Sequence, residues 1–157
     1  MAGSILRNKA KEYAIRIVTL CRAMRKNGVE AVLIQQLLRA GTSVGANLYE
    51  AQYAQSTKDF VSKLEIALKE CNESDYWVDL LHEVGNISDG DYNTLQDRII
   101  ELRRMLVSSV KTMKAKGHDR MLKSGLPSAM NGHVHLIVFA QQNHHCAHSR
   151  SGFTTYG

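Results

Sequence analysis

The sequence predicts an all-α fold: an antiparallel up-down-up-down four-helix bundle over residues 5–117, followed by a weakly ordered His-rich tail over residues 118–157. Three observations predict it. Four long segments place apolar residues at alternating gaps of three and four, which keeps one face of a helix turned towards its neighbours. The connections between these segments are a few residues long, so successive helices fold back on one another. Aromatic residues make up 6% of the chain and its single proline is Pro127, so β structure is disfavoured and no proline breaks a helix before the tail.

The first helix carries Leu6, Ala10, Tyr13, Ile17, Leu20 and Met24 on one stripe, with Ser4 as N-cap and Asn27-Gly28 as its stop. The second is expected from Val29 to about Ala54, with Leu33, Leu37, Ala40, Val44 and Ala51 inward. Gly41 and Gly45 lie one turn apart within it, each costing about 1 kcal/mol in a helix interior. Close helix packing or a local bend should offset them. The third helix opens at Ser56-Thr57-Lys58-Asp59, a capping box with Asp in place of Glu. Its stripe is Phe60, Leu64, Ala67, Cys71, Val78 and Leu81, with Trp77 beside it and Val84-Gly85-Asn86 as the end. Ser88-Asp89-Gly90-Asp91 starts the fourth helix with acids where the helix dipole favours them. Leu95, Ile99, Leu102, Leu106, Val110 and Met113 form its stripe, and Gly117 is its expected stop.

At 157 residues, with 44% hydrophobic and 22% charged residues, the chain suits one domain with a real core. No apolar run approaches the roughly 18–20 residues that span a bilayer. Arg7, Lys9, Lys11 and Glu12 interrupt any secretory signal. The three cysteines (Cys21, Cys71 and Cys146) are odd in number and widely spaced, which reads as reduced thiols in a cytoplasmic protein without a membrane partner.

The net charge of +5 is unevenly distributed. Residues 5–27 carry Arg7, Lys9, Lys11, Arg16, Arg22, Arg25 and Lys26 against Glu12 alone, a net of +6. Residues 56–85 carry three lysines against seven acids, a net of −4. Antiparallel threading also brings the start of the first helix to the bundle end that holds Lys111, Lys114 and Lys116. Together with Arg103 and Arg104, these cations form the candidate nucleic-acid-binding set, because a cationic cluster attracts phosphate backbones through counterion release. Two other readings stand beside it. Lysines at a helix C-terminus also solvate the end and complement its dipole. A basic first helix and an acidic third helix also suit docking between subunits.

Catalytic chemistry has little support in the sequence. Glu70-Cys71-Asn72-Glu73 supplies no histidine for a bundle di-metal site, and His82-Glu83 is a single adjacent pair. There is no G-x-S-x-G elbow and no phosphate-cradling G-x-x-x-x-G-K-[ST] loop. In the tail, His133, His135, His144, His145, Cys146 and His148 are good zinc ligand types, but their irregular spacing reads as incidental. Val134–Phe139 reads as a short strand within that tail. No catalytic residue, metal site or cofactor is expected.

The stretch Ser43-Val44-Gly45-Ala46-Asn47-Leu48-Tyr49-Glu50-Ala51 is followed by Phe60, Lys63-Leu64, Ala67, Lys69-Glu70, Glu73-Ser74 and Tyr76-Trp77. In combination, over residues 5–116, these resemble the small four-helix bundle proteins encoded by intervening sequences in bacterial 23S ribosomal RNA genes. A related branch comprises the accessory variability proteins of diversity-generating retroelements. The resemblance implies a ring-shaped homopentamer without catalysis. In the second branch it implies RNA, or an RNA/DNA hybrid, and a reverse transcriptase as partners. Nothing in the tail from His118 onward matches this family.

Gly45 and Ala46 are expected where helices approach closely. Counting back from the turns places Ser43, Glu70, Arg103 and Arg16 at one height, as a polar layer in which Glu70 pairs with Arg103 or Arg16. Such a pair sets register at some cost in stability. Asn47 joins the layer on the apolar stripe, where a buried amide needs partners.

Overall fold

Four helices follow one another: α1 (Ala2–Lys26), α2 (Ala31–Glu50), α3 (Thr57–Glu83) and α4 (Asp89–Lys123). A 3₁₀ turn, Ala51–Tyr53, continues α2. This is a computed structural model, which describes residues 2–123, with side chains for residues 5–116. The expected strand at 134–139 and the tail histidines lie outside the described residues.

The helix ends follow local chemistry. α1 and α3 stop in the same way, at Gly28 with φ 78° and Gly85 with φ 79°. The amide after each glycine closes back on the helix, Val29 N–H to Met24 O at 3.2 Å and Asn86 N–H to Leu81 O at 2.8 Å. Only glycine adopts that left-handed conformation without steric cost, so these two glycines fix where the helices end. At the start of α3 the Ser56 hydroxyl accepts from Asp59 N–H at 3.1 Å, while the Asp59 carboxylate accepts from Gln55 N–H at 3.1 Å. Ser88 does the same for α4, accepting from Asp91 N–H at 3.2 Å.

Three element boundaries differ from expectation. Ser4 lies inside the first turn of α1 and not before it. α2 starts at Ala31, because Gly28 and Val29 are used to close α1. α4 runs through Gly117 to Lys123. A helical glycine costs about 1 kcal/mol and is no stop unless it turns to positive φ.

α2 packs between α1 and α3. α4 closes the other side: Lys9 and Glu12 of α1 meet Glu101 and Arg98 of α4, and Lys114 of α4 meets Glu65 of α3. The core between the four helices contains Ala10, Tyr13, Ile17, Ile34, Leu37, Val44, Ala67, Val78, Leu81, Ile99, Leu102 and Leu106, all buried. Across its diagonal, the buried Tyr13 hydroxyl of α1 bonds Ser74 Oγ of α3 at 2.5 Å. Burial pushes the Tyr13 phenol up, so this group is a neutral hydroxyl that needs its partner. The predicted stripes hold, with small rotations: Cys21 is buried where Leu20 was expected, and Ile34 where Leu33 was, the leucines being half-buried beside them.

Gly41 sits against Ile17, where an added Cβ would lie 2.9 Å from Cγ1. Gly45 is looser, its nearest neighbour being the Ala10 carbonyl at 3.8 Å from that position. Ala46 is exposed, so the close approach of α1 and α2 rests on Gly41 and not on Ala46.

Candidate nucleic-acid interface

The polar layer forms with different partners from those expected. Glu70 is buried at 8% exposure and is reached by Arg39 of α2, Nη1 to Oε2 at 3.7 Å. Arg39 also grips Glu73. Arg103 turns to the opposite side of α3, where it binds Asp75 and donates to Asn72 Oδ1 at 2.9 Å. Arg16 is exposed and reaches no acid among the described residues. Counting from the turns gives the height of a residue but not its direction round the helix. Glu70 faces α2, and Arg103 meets α3 on its other side. Asn47 is half-buried and donates to the Ser43 carbonyl one turn back at 2.9 Å, so Ser43 serves the layer through its backbone.

A second polar seam, absent from the sequence reading, joins α3 to α4. Gln96 donates to Asp75 at 2.9 Å and to Asp79 at 2.8 Å, and the Tyr92 hydroxyl donates to Asp79 at 3.0 Å. Burial, then the Asp79 bond, raises the Tyr92 phenol. The His82 ring stacks on Tyr92 at 4.0 Å between centroids and meets Asp89 Oδ1 at 2.8 Å. A spacing of acids at 75 and 79 facing Gln96 and Tyr92 was the available signal.

Two consequences for surface charge follow. Four of the seven carboxylates of α3 are ion-paired within the bundle: Glu65 with Lys114, Asp75 with Arg103, and Glu70 and Glu73 with the single Arg39. Most cations of α1 are not. Lys9 pairs with Glu101 at 2.8 Å, but Arg7, Lys11, Arg16, Arg22, Arg25 and Lys26 make no ion pair among the described residues. Between Glu12 and Glu50 the only acid in the sequence is Glu30.

Geometry groups the free cations. Arg7, Lys11, Arg22 and Arg25 recur at intervals of 4, 11 and 3, which returns each to nearly the same face of α1. That face adjoins α2: Ala10 beside it packs against Gly45, and the Cys21 thiol beside it donates to the Ile34 carbonyl at 3.8 Å. The opposite side of α1 is the one that pairs with α4. Arg16 and Lys26 stand outside the stripe, exposed, Lys26 in the last turn of the helix.

The cations of α4 are staggered from those of α1. Lys9 opposite Glu101 and Glu12 opposite Arg98 put Arg7 near position 103. Lys111 then lies about 12 Å further along and Lys116 about 20 Å further, at the helical rise per residue. Lys114 is held by Glu65 at 2.6 Å. Lys111 and Lys116 are exposed beyond the position of Arg7, and Arg104 lines a shallow groove with Leu6, Glu101, Met105, Ser108 and Ser109. The α1 stripe is therefore one surface, and the α4 lysines are another.

Both described thiols are buried and inert. Burial pushes Cys21 up to about 11 and Cys71 up to about 12, and Cys71 donates to the Ile99 carbonyl at 3.9 Å. A thiol so shifted is protonated at neutral pH and is a poor nucleophile. Among the described residues no group of three His, Cys, Asp or Glu side chains is arranged to hold a metal ion, and no helix is long and apolar enough to cross a membrane.

Comparison with known proteins adds to this geometry. The chain is similar to a protein with unknown function from the S23 ribosomal protein family of Bacteroides thetaiotaomicron, known from its crystal structure. The two are 40% identical, with a TM-score of 0.68 over 71% of this chain and 99% of that one. The comparison with curated proteins gives no match. A model of the 23S rRNA-intervening sequence protein family matches residues 4–108, and the chain belongs to that family.

Proposed function

We propose that this protein is a non-catalytic RNA-binding accessory protein that works as a homopentamer. The observation that carries this reading is the asymmetry of ion pairing. Four of the seven acids of α3 are ion-paired within the bundle, whereas Arg7, Lys11, Arg22 and Arg25 of the basic stripe make no ion pair among the described residues. Surplus positive charge on one rigid helix face is the footprint that a polyphosphate backbone recognises. The same asymmetry counts against docking of an acidic α3 onto a basic α1, because four of the seven α3 carboxylates are already engaged by α2 and α4. The inert thiols support a role without catalysis. Large apolar side chains on the outside, among them Ile15, Val32, Tyr76 and Ile100, support self-assembly. The partner suggested by the resemblance to retroelement accessory proteins is a reverse transcriptase with its template RNA.

Binding of a structured RNA to the full chain, measured by fluorescence anisotropy across a salt series, tests the reading. Affinity should fall steeply with salt, and reversal of Arg7, Lys11, Arg22 and Arg25 to glutamate should flatten that dependence by about 3 in log–log slope. No binding at low salt, or binding indifferent to salt, would sink the RNA role. Mass measurement in solution tests the assembly: a particle of the single-chain mass, 17.6 kDa, removes the pentamer.

A further inference from the structure

We propose that the corner where the start of α1 meets the end of α2 is a docking surface for the unpaired bases of single-stranded RNA, with Tyr49 and Tyr53 as stacking platforms and Arg7 and Lys11 as phosphate contacts. The proposal rests on the RNA-binding reading and deepens it by naming the form of RNA.

Two aromatic rings stand in water here. Tyr49 is 62% exposed and Tyr53 is 71% exposed, the highest exposure among the large apolar and aromatic side chains described. Their ring centroids are 5.8 Å apart and their planes are inclined by 54°, so neither ring lies flat over the other. The backbone beneath them is continuous helix, α2 passing directly into the 3₁₀ turn Ala51–Tyr53.

Charge selects the occupant. Ala10 of α1 packs against Gly45 of α2, so in this antiparallel pair Arg7 stands near the height of Tyr49, and Lys11 one turn further along the same face of α1. The nearest carboxylate in sequence, Glu50, is held away by Lys63 at 2.6 Å. A surface of bare rings and unpaired cations fits a ligand that alternates flat apolar faces with anionic links, which describes a nucleic acid strand. In a duplex the base faces are already stacked on one another, so rings of this kind recognise bases only where the strand is open. A second copy of this chain is a poorer match, since four of the seven α3 carboxylates that would neutralise Arg7 and Lys11 are engaged within their own bundle.

The experiment compares a labelled uridine oligonucleotide with a duplex of equal length, both titrated with the full chain at low salt. Tyr49→Ala/Tyr53→Ala should weaken single-strand binding about tenfold or more while leaving duplex binding unchanged, since aromatic stacking discriminates but phosphate contact does not. Tyr49→Phe/Tyr53→Phe should retain single-strand binding, which separates stacking from loss of fold. Arg7→Glu/Lys11→Glu should weaken both ligands. Unchanged single-strand affinity in the alanine variant overturns the proposal, as does an equal loss for both ligands, although the RNA-binding reading survives each result. A lower particle mass in the alanine variant overturns it in favour of a contact between copies. If the native chain binds neither ligand, the RNA-binding reading fails and this proposal with it.

Discussion

At position 41 a single methyl group is too much. The missing Cβ would lie 2.9 Å from Cγ1 and 3.0 Å from Cγ2 of Ile17, a β-branched side chain that is fully buried and has nowhere to turn. Gly41→Ala is therefore expected to destabilise by about 1–3 kcal/mol through overpacking. Gly45→Ala meets only ordinary contacts and should be neutral or should stabilise by up to about 1 kcal/mol, because alanine is the better helix former. Urea denaturation of the two variants checks this directly, and equal effects would show that the α1–α2 contact is not set by Gly41. The sequence shows both glycines with equal force. Only the neighbour across the interface tells them apart.

Between α2 and α3 the decisive unit is Arg39 with Glu70 and Glu73. Glu70 is buried and its Oε2 makes no hydrogen bond among the described residues, so the Arg39 ion pair is its main compensation. Arg39 itself is half exposed, which screens the pair and limits its net worth. The larger effect should appear when the arginine is removed and a carboxylate is left buried alone. Arg39→Ala is expected to cost about 1–3 kcal/mol. Adding Glu70→Gln should recover most of that, because no charge then remains to be desolvated. Thermal melts of the single and double variants decide it, and a double variant less stable than Arg39→Ala alone would refute the account. Elsewhere the elements were readable locally: Ser56 and Asp59 cap α3, and Gly28 and Gly85 end α1 and α3, through contacts within a few residues. The Arg39 pair spans two helices and leaves no local trace.

For the whole molecule, alkaline pH probes the core. Cys21 is pushed up to about 11, Cys71 to about 12 and Tyr13 upward as well, in each case chiefly by burial. In the unfolded chain these groups release protons at their ordinary values, so above the ordinary thiol range the folded state holds more protons than the unfolded one. The contribution of these groups to stability should be level below about pH 8 and fall between about pH 9 and 12, by up to about 1.4 kcal/mol per pH unit for each thiol. Circular dichroism melts across that range measure it. Replacing both cysteines with alanine lowers the starting stability but should make the decline shallower, and an unchanged slope would dissociate it from the thiols.

The sequence by itself determined the four helices, their order, their inward stripes and the positions of two glycine stops and two serine caps. Each of these depends on residues within a turn or two of one another, so periodicity and capping chemistry suffice. It also displayed the excess of positive charge on α1 and of negative charge on α3. Which charges are spent within the molecule was decided by tertiary structure alone. Register counted from the turns placed Glu70 and Arg103 at one height, but Arg103 meets Asn72 and Asp75 and Glu70 meets Arg39. A helix can direct side chains at similar height towards different neighbours, and that direction is settled only when all four helices are packed. The same packing leaves six of the seven α1 cations without an ion pair among the described residues, engages four of the seven α3 acids and stands Tyr49 and Tyr53 in solvent. A count of charges becomes a surface only at that stage.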